Sequence, residues 1–316
     1  VELVTIDDIR TAARQVASHV VRTPLLEASW GDPDRPLWVK PESLQPIGAF
    51  KVRGAFNAIG ALIAGSDPVS GVVAYSSGNH AQAVAYAAAV YGLPAHIVMP
   101  EETPAVKIDA TRRHGARVVL CAAGQREIVA EQVAAETGAV MIPPFDHPGV
   151  IAGQGTIGLE IAEDLPEVRS VFVPVSGGGL ASGIGTAIKA LCPRAVVIGV
   201  EPELAADTAE GLAQGRRVDW PITDRNRTIA DGLRSQPSEL TFAHLQNVLD
   251  EIVTVSEAEI RSGVRELAFR ARLVAEPSGA VALAGYRKVA APAGPAVVIL
   301  SGGNVAPEML GQILSG

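Results

Sequence analysis

Apolar side chains at Ile6, Ile9, Ala13, Val16 and Val20 recur at helical spacing behind Thr5, with Asp8 three residues further on, and this predicts a capped helix from about Ile6 to Ser18. After Pro24 the pattern gives a short strand at Leu37–Val39 and a loop. A second helix follows, faced by Ala55, Phe56, Ile59, Leu62 and Ile63, with Lys51 at its start. From there short apolar runs alternate with helical stripes: strand Val72–Tyr75, helix Ala81–Tyr91, strand His96–Met99, helix Pro104–His114 closed by Gly115, and strand Arg117–Cys121. A helix to Glu136, Gly138 as its stop and strand Ala139–Ile142 come next. The run Pro143-Pro144-Phe145-Asp146-His147-Pro148 then breaks the pattern and reads as a hinge.

Beyond it the scheme repeats, with a helix near Thr156–Glu163, strand Val171–Val175, helix Leu180–Leu191 and strand Val196–Val200. Later come strand Glu251–Val255, a helix capped by Ser256 with Glu259, and a buried strand at Ala296–Leu300. This is α/β punctuation, and it fits either open, doubly wound sheets or a TIM barrel. The stretch Gly215–Ser238 is polar and irregular, as functional loops often are.

With 316 residues the chain holds two domains or one large one, and 48% hydrophobic residues suffice for a sizeable core and exclude disorder. The net charge of -8 argues against nucleic acid or an anionic membrane as partner and leaves small molecules as the default ligands. The richest apolar stretch, Ala81–Pro100, is broken by Gln82, Gly92, Pro94 and His96, so no membrane span is expected. The start is acidic and amphipathic, unlike a signal peptide, and a cytoplasmic setting is expected, although a chain beginning at Val1 leaves a removed leader open. Cys121 and Cys192 lie far apart without CxxC spacing and read as inert thiols in a reducing compartment.

Three predicted strands end in Ser and Gly: Ser76-Ser77-Gly78-Asn79-His80, Ser176-Gly177-Gly178-Gly179-Leu180 and Ser301-Gly302-Gly303-Asn304. Open α/β sheets bind ligands at such carboxyl ends. The triple glycine brings backbone N–H groups to the positive end of a helix, which suits a phosphate. A dinucleotide fingerprint is a rival reading, with Gly177, Gly179 and Gly183 as glycines and Glu201 as the ribose acid, although Ser182 takes the third glycine's place. The Ser76–His80 turn could clamp a carboxylate through Ser76, Ser77, Asn79 and His80, or simply cap a helix.

Of 26 cations only Lys40, Lys51, Lys107, Lys189 and Lys288 are lysines, so lysine chemistry has few candidates. Lys51, in Gly48-Ala49-Phe50-Lys51-Val52-Arg53-Gly54-Ala55, has apolar neighbours that can desolvate its amine and make it nucleophilic. A phosphate cradle together with an activated lysine implies pyridoxal phosphate.

These segments, with Arg22-Thr23-Pro24-Leu25, Ile151-Ala152-Gly153-Gln154-Gly155-Thr156 and Glu276-Pro277-Ser278-Gly279, resemble the fold-type-II pyridoxal-phosphate enzymes of the serine/threonine dehydratase and serine racemase family from about Ile6 to Asn304. The resemblance implies two doubly wound open-sheet domains of the tryptophan synthase β-like class. It places residues 1–50 and 147–316 in a large cofactor-binding domain and 51–146 in a small mobile one, in a homodimer. It implies that Lys51 carries the covalent link to the cofactor and that Phe50 packs on the ring. Ser176, Gly177, Gly178, Gly179 and Leu180 would bind the phosphate, Asn79 the ring hydroxyl and Ser301 the pyridine nitrogen.

The activity so implied is loss of water from L-threonine or L-serine, giving a 2-oxo acid and ammonia, with the freed Lys51 amine as base. A neutral Ser301 beside the ring nitrogen would disfavour a long-lived carbanion and favour rapid departure of the β-hydroxyl. Ser77 matches the opposite-face acid/base of the racemases, whereas Phe145 resembles the dehydratases. Arg126 matches a position that approaches a distal carboxylate, which adds hydroxyaspartate as a substrate, though a surface arginine fits as well.

Glu201 and Asp207, six residues apart, suit a hard cation or plain capping. By resemblance to metal-dependent members, Glu201, the Ala205 carbonyl and Asp207 would bind Mg2+ or another divalent ion. Ala49 departs from the serine most relatives carry, and with so little sequence after Asn304 feedback control through a regulatory domain is not expected. A noncatalytic cofactor-binding sensor and a nicotinamide oxidoreductase are the rivals of other classes.

Overall fold

The computed structural model describes residues 2–316, with ten strands among them. In chain order these are β1 (Leu26–Asp32), β2 (Arg35–Pro41), β3 (Val72–Tyr75), β4 (Ala95–Pro100), β5 (Arg117–Cys121), β6 (Val140–Met141), β7 (Ser170–Pro174), β8 (Val196–Pro202), β9 (Glu251–Val255) and β10 (Ala296–Leu300). They form two separate open sheets, one of six strands in the order β1-β2-β10-β7-β8-β9 and one of four in the order β5-β4-β3-β6. A TIM barrel is thereby excluded, since neither sheet closes and the chain supplies two of them. All pairings are parallel except the β1–β2 hairpin at one edge of the larger sheet.

Helices cover the parallel strands, so β7 and β10 are buried at every position and read as continuous apolar runs. The capping box of Thr5 and Asp8 starts the first helix, Ile6–Val16, and Ser256 with Glu259 starts the helix Glu257–Glu266. Three differences from the sequence pattern have physical causes. Strand β1 escaped notice because its burial alternates poorly at a sheet edge. The helix predicted near Thr156 begins at Pro148, where a proline fits the first turn and the His147 ring accepts from Gly149 N at 3.0 Å, so part of the supposed hinge is a helix start. The helix Pro277–Lys288 shows no stripe because it is buried nearly all round.

The helix Lys51–Ala64 crosses Pro148–Asp164 at backbone contact: a Cβ on Gly153 would lie 2.6 Å from the Gly54 Cα. β10 lies between β2 and β7, so the turns after β10 and β7 emerge side by side at the carboxyl edge of the larger sheet.

Candidate active site

The segment before Lys51 is tied to the turn after β10. Ala49 bridges Gly302, and Phe50 N donates to the Ser301 carbonyl at 3.0 Å. Lys51 therefore begins its helix beside Ser301, whose hydroxyl is buried and has only a 3.5 Å contact to the Ser278 carbonyl. The Lys51 ammonium donates to the Pro144 carbonyl at 2.7 Å and lies 5.0 Å from the Phe50 ring centroid. It has no carboxylate partner, and loss of water around it lowers its pKa to about 8.

Pro144 leads directly to Phe145, whose ring fills the space where a side chain on Gly177 would sit, at 2.2 Å from a Cβ placed there. Gly178 is left-handed at φ 89 and starts the helix Gly179–Leu191. The glycines thus serve close packing as well as a bare helix N-terminus whose first N–H groups have no partner within the helix. Ser176 exchanges hydrogen bonds with Ser235, its hydroxyl donating to the Ser235 carbonyl and accepting from Ser235 N, both at 3.0 Å. The irregular Gly215–Ser238 segment is thereby brought to this turn.

From the smaller sheet, the turn after β3 carries Ser76 and Ser77, both half-buried, with the Ser76 hydroxyl accepting from Gly78 N at 3.2 Å. Asn79 joins the two sheets: its amide donates to Glu276 at 2.7 Å and its oxygen accepts from Asn304 at 2.8 Å. His80 departs from the expectation of a substrate donor. Its ring is buried and bonds to the Ile142 carbonyl at 2.8 Å, and desolvation followed by nearby Lys51 lowers its pKa to about 3, so it braces the Pro143–Pro144 segment as a neutral group.

Glu276, which opens the Glu276-Pro277-Ser278-Gly279 segment and to which the sequence alone assigns no role, is buried at this junction. Burial, reinforced by Asp231, raises its pKa to about 8. Its signal was the Glu-Pro pair at a helix start.

The pattern of the pyridoxal-phosphate dependent enzymes matches residues 16–302. The chain belongs to the pyridoxal-phosphate-dependent enzyme family. It is 41% identical over 323 residues to the L-threonine ammonia-lyase of Thermotoga maritima, covering 99% of this chain and 79% of that one. It is 39% identical over 320 residues to the L-threo-3-hydroxyaspartate ammonia-lyase of Saccharomyces cerevisiae, covering 99% and 97%. The structure of maize serine racemase matches with a TM-score of 0.93 at 38% identity, covering 99% of this chain and 98% of that one.

The residues present fit the family's cofactor: a desolvated amine for its aldehyde, a glycine-lined helix start for its phosphate and a buried neutral hydroxyl at Ser301. The nicotinamide reading falls away with the family, and Glu201 is turned inward, accepting from Ala209 N at 2.8 Å and Thr208 N at 3.3 Å.

Glu201 and Asp207 are both buried, and Asp207 Oδ2 has no hydrogen-bond partner. Burial raises Glu201 to about 8, with Asp207 adding to it, and raises Asp207 to about 6. No cluster of three or more His, Cys, Asp or Glu suited to a metal occurs among the described residues, so a cation here would need the Ala205 carbonyl and water to complete its shell. Two desolvated carboxylates with an idle oxygen fit such an ion. No helix among the described residues is long and apolar enough to cross a membrane.

Proposed function

We propose that this enzyme is an ammonia-lyase that removes water from L-threonine or L-serine and yields a 2-oxo acid and ammonia. The observation that carries the reading is Lys51, a desolvated amine held by a neutral carbonyl at a helix start beside the turn after β10. Pyridoxal phosphate, when bound, holds the substrate's amino group and withdraws electrons from the α-carbon. The backbone N–H groups of Gly177, Gly178, Gly179 and Leu180, with Ser176, would hold its phosphate, and the Phe145 ring packs against Gly177. Phe50 would support the ring, Asn79 would bind its hydroxyl, and Ser301 would meet its nitrogen with a neutral hydroxyl.

Lys51 Nζ, whose pKa burial lowers to about 8 in the cofactor-free protein, would accept the α-proton. Ser76, Ser77 and Asn79 clamp the substrate carboxylate, with His80 behind them. Glu201, the Ala205 carbonyl and Asp207 would hold a divalent ion. Residues 51–146 close over 1–50 and 147–316 once substrate binds, and the enzyme is a homodimer.

Arg126 supports a second reading, 3-hydroxyaspartate as substrate. Its guanidinium lies 5.8 Å from the ring centroid of Tyr75, the residue preceding the Ser76 turn. Ser77 supports a third, serine racemisation, in which it returns a proton from the face opposite Lys51.

The test is 2-oxo acid release from L-threonine, L-serine and 3-hydroxyaspartate, with D-serine measured alongside and with Mg2+ or a chelator added. One preferred substrate yielding oxo acid, slowed by the chelator and restored by Mg2+, is expected. D-serine without oxo acid would replace the lyase by a racemase.

A further inference from the structure

Behind Lys51 lies a group of charges that the proposed chemistry does not use. Lys40, Glu42 and Arg53 are fully buried and Glu160 is 8% exposed. Arg53 makes two forks. Its Nε and Nη2 donate to Glu42 at 2.8 and 2.9 Å, and its Nη1 and Nη2 donate to Glu160 at 2.6 and 2.9 Å. Nη1 also reaches the Thr156 hydroxyl at 3.1 Å and Nη2 the Val21 carbonyl at 3.2 Å. Lys40 donates to Glu160 and to the Thr23 carbonyl, both at 2.6 Å, and Thr23 donates to Glu42 at 2.7 Å. Two cations and two carboxylates therefore balance in a dry site, with nearly every polar atom engaged.

Such a group is a poor source of stability, because desolvation offsets most of the attraction and apolar replacements are often neutral. Its placement gives it another use. Two residues along a helix turn the side chain by roughly 200°, so Arg53 leaves the first turn of its helix opposite to Lys51. That helix has no side-chain cap at Phe50. Its first turn is instead fastened from behind to β2, to the turn that follows β2, and to the helix Pro148–Asp164.

We propose that the Lys40–Glu42–Arg53–Glu160 quartet, with Arg53 at its centre, is a positioning device that aims the Lys51 amine at the cofactor's aldehyde. The inference rests on Lys51 being the cofactor lysine. The step it serves forms C=N between Nζ and the aldehyde carbon and releases the aldehyde oxygen as water. Lysine in place of Arg53 keeps the charge but cannot make two forks.

The experiment compares binding of pyridoxal phosphate, which can join Lys51, with binding of pyridoxamine phosphate, which cannot, to the full-length protein freed of cofactor. It uses Arg53→Lys and, should that variant not fold by circular dichroism, Glu160→Gln. Misaiming should weaken pyridoxal phosphate by about tenfold or more and slow the rise of its visible band, because effective concentration depends steeply on placement, while pyridoxamine phosphate binds as before. Equal weakening of both ligands, or of neither, would overturn the proposal. Lys51→Ala is the control: if it still forms the band, the premise about Lys51 fails, whereas if it loses the band and the quartet variants keep normal binding, only the quartet's role fails.

Discussion

Lys40 and Lys51 are both withdrawn from water, one on each side of the same helix start, and their surroundings differ in kind. Around Lys40 stand Glu160 at 2.6 Å and, through Arg53, Glu42. Burial pulls its pKa down, the carboxylates oppose that, and the ion stays paired. Around Lys51 stand the Pro144 carbonyl and the Phe50 ring, with no anion to hold the proton. The same desolvation that fixes one lysine as a structural cation leaves the other a base near neutrality. Partners, more than burial, decide which lysine of a protein can react.

The contrast breaks most sharply under substitution. Lys51→Ala should lower 2-oxo acid formation by at least about 10²-fold, the usual contribution of a positioned base, while the cofactor-free protein loses no more than about 1.5 kcal/mol in denaturant unfolding, because one hydrogen bond to a neutral carbonyl and no ion pair is lost. Lys40→Ala should instead destabilise the fold by about 3–5 kcal/mol in denaturant unfolding, as expected when one partner of a buried charge group is removed. Equal effects of the two substitutions on stability would erase the distinction.

A pH series sharpens it. Capture of pyridoxal phosphate by the cofactor-free protein needs neutral Lys51, so its rate should rise with pH and level off above about 8, and a midpoint near the ordinary 10.5 would mean the amine is not desolvated. Glu276 offers the converse case. With its carboxyl raised from 4.5 to about 8, the folded state holds a proton that the unfolded chain releases, so stability falls as pH rises through that interval. Glu276→Gln should flatten the fall in melting temperature between those values, and an unchanged slope would show that Glu276 ionises normally. The smallest effect is expected at Lys107→Ala, which breaks the exposed 2.8 Å pair with Asp231 and should change stability by less than about 1 kcal/mol.

Much of this was legible beforehand because it rests on local rules. The parallel strands Val72–Tyr75, Arg117–Cys121 and Ala296–Leu300 were apolar runs, and the starts of two helices were written in Thr5 with Asp8 and Ser256 with Glu259. Lys51 stood out by its apolar neighbours. What escaped depends on contacts remote in sequence. Arg53 and Glu160 are 107 positions apart, and Asn79 and Glu276 are 197 apart, so no spacing could pair them. His80 looked like a free donor because nothing local shows the Ile142 carbonyl that takes its ring. The triple glycine signals an anion site in the sequence, while the need to admit Phe145 is visible only in the fold.

The most direct measurement is to reduce the cofactor-loaded enzyme with borohydride, digest it and locate the added mass among the five lysines. A phosphopyridoxyl group is expected on Lys51. Its appearance on Lys40, Lys107, Lys189 or Lys288, with Lys51 unmodified, would contradict the assignment on which the proposed activity stands.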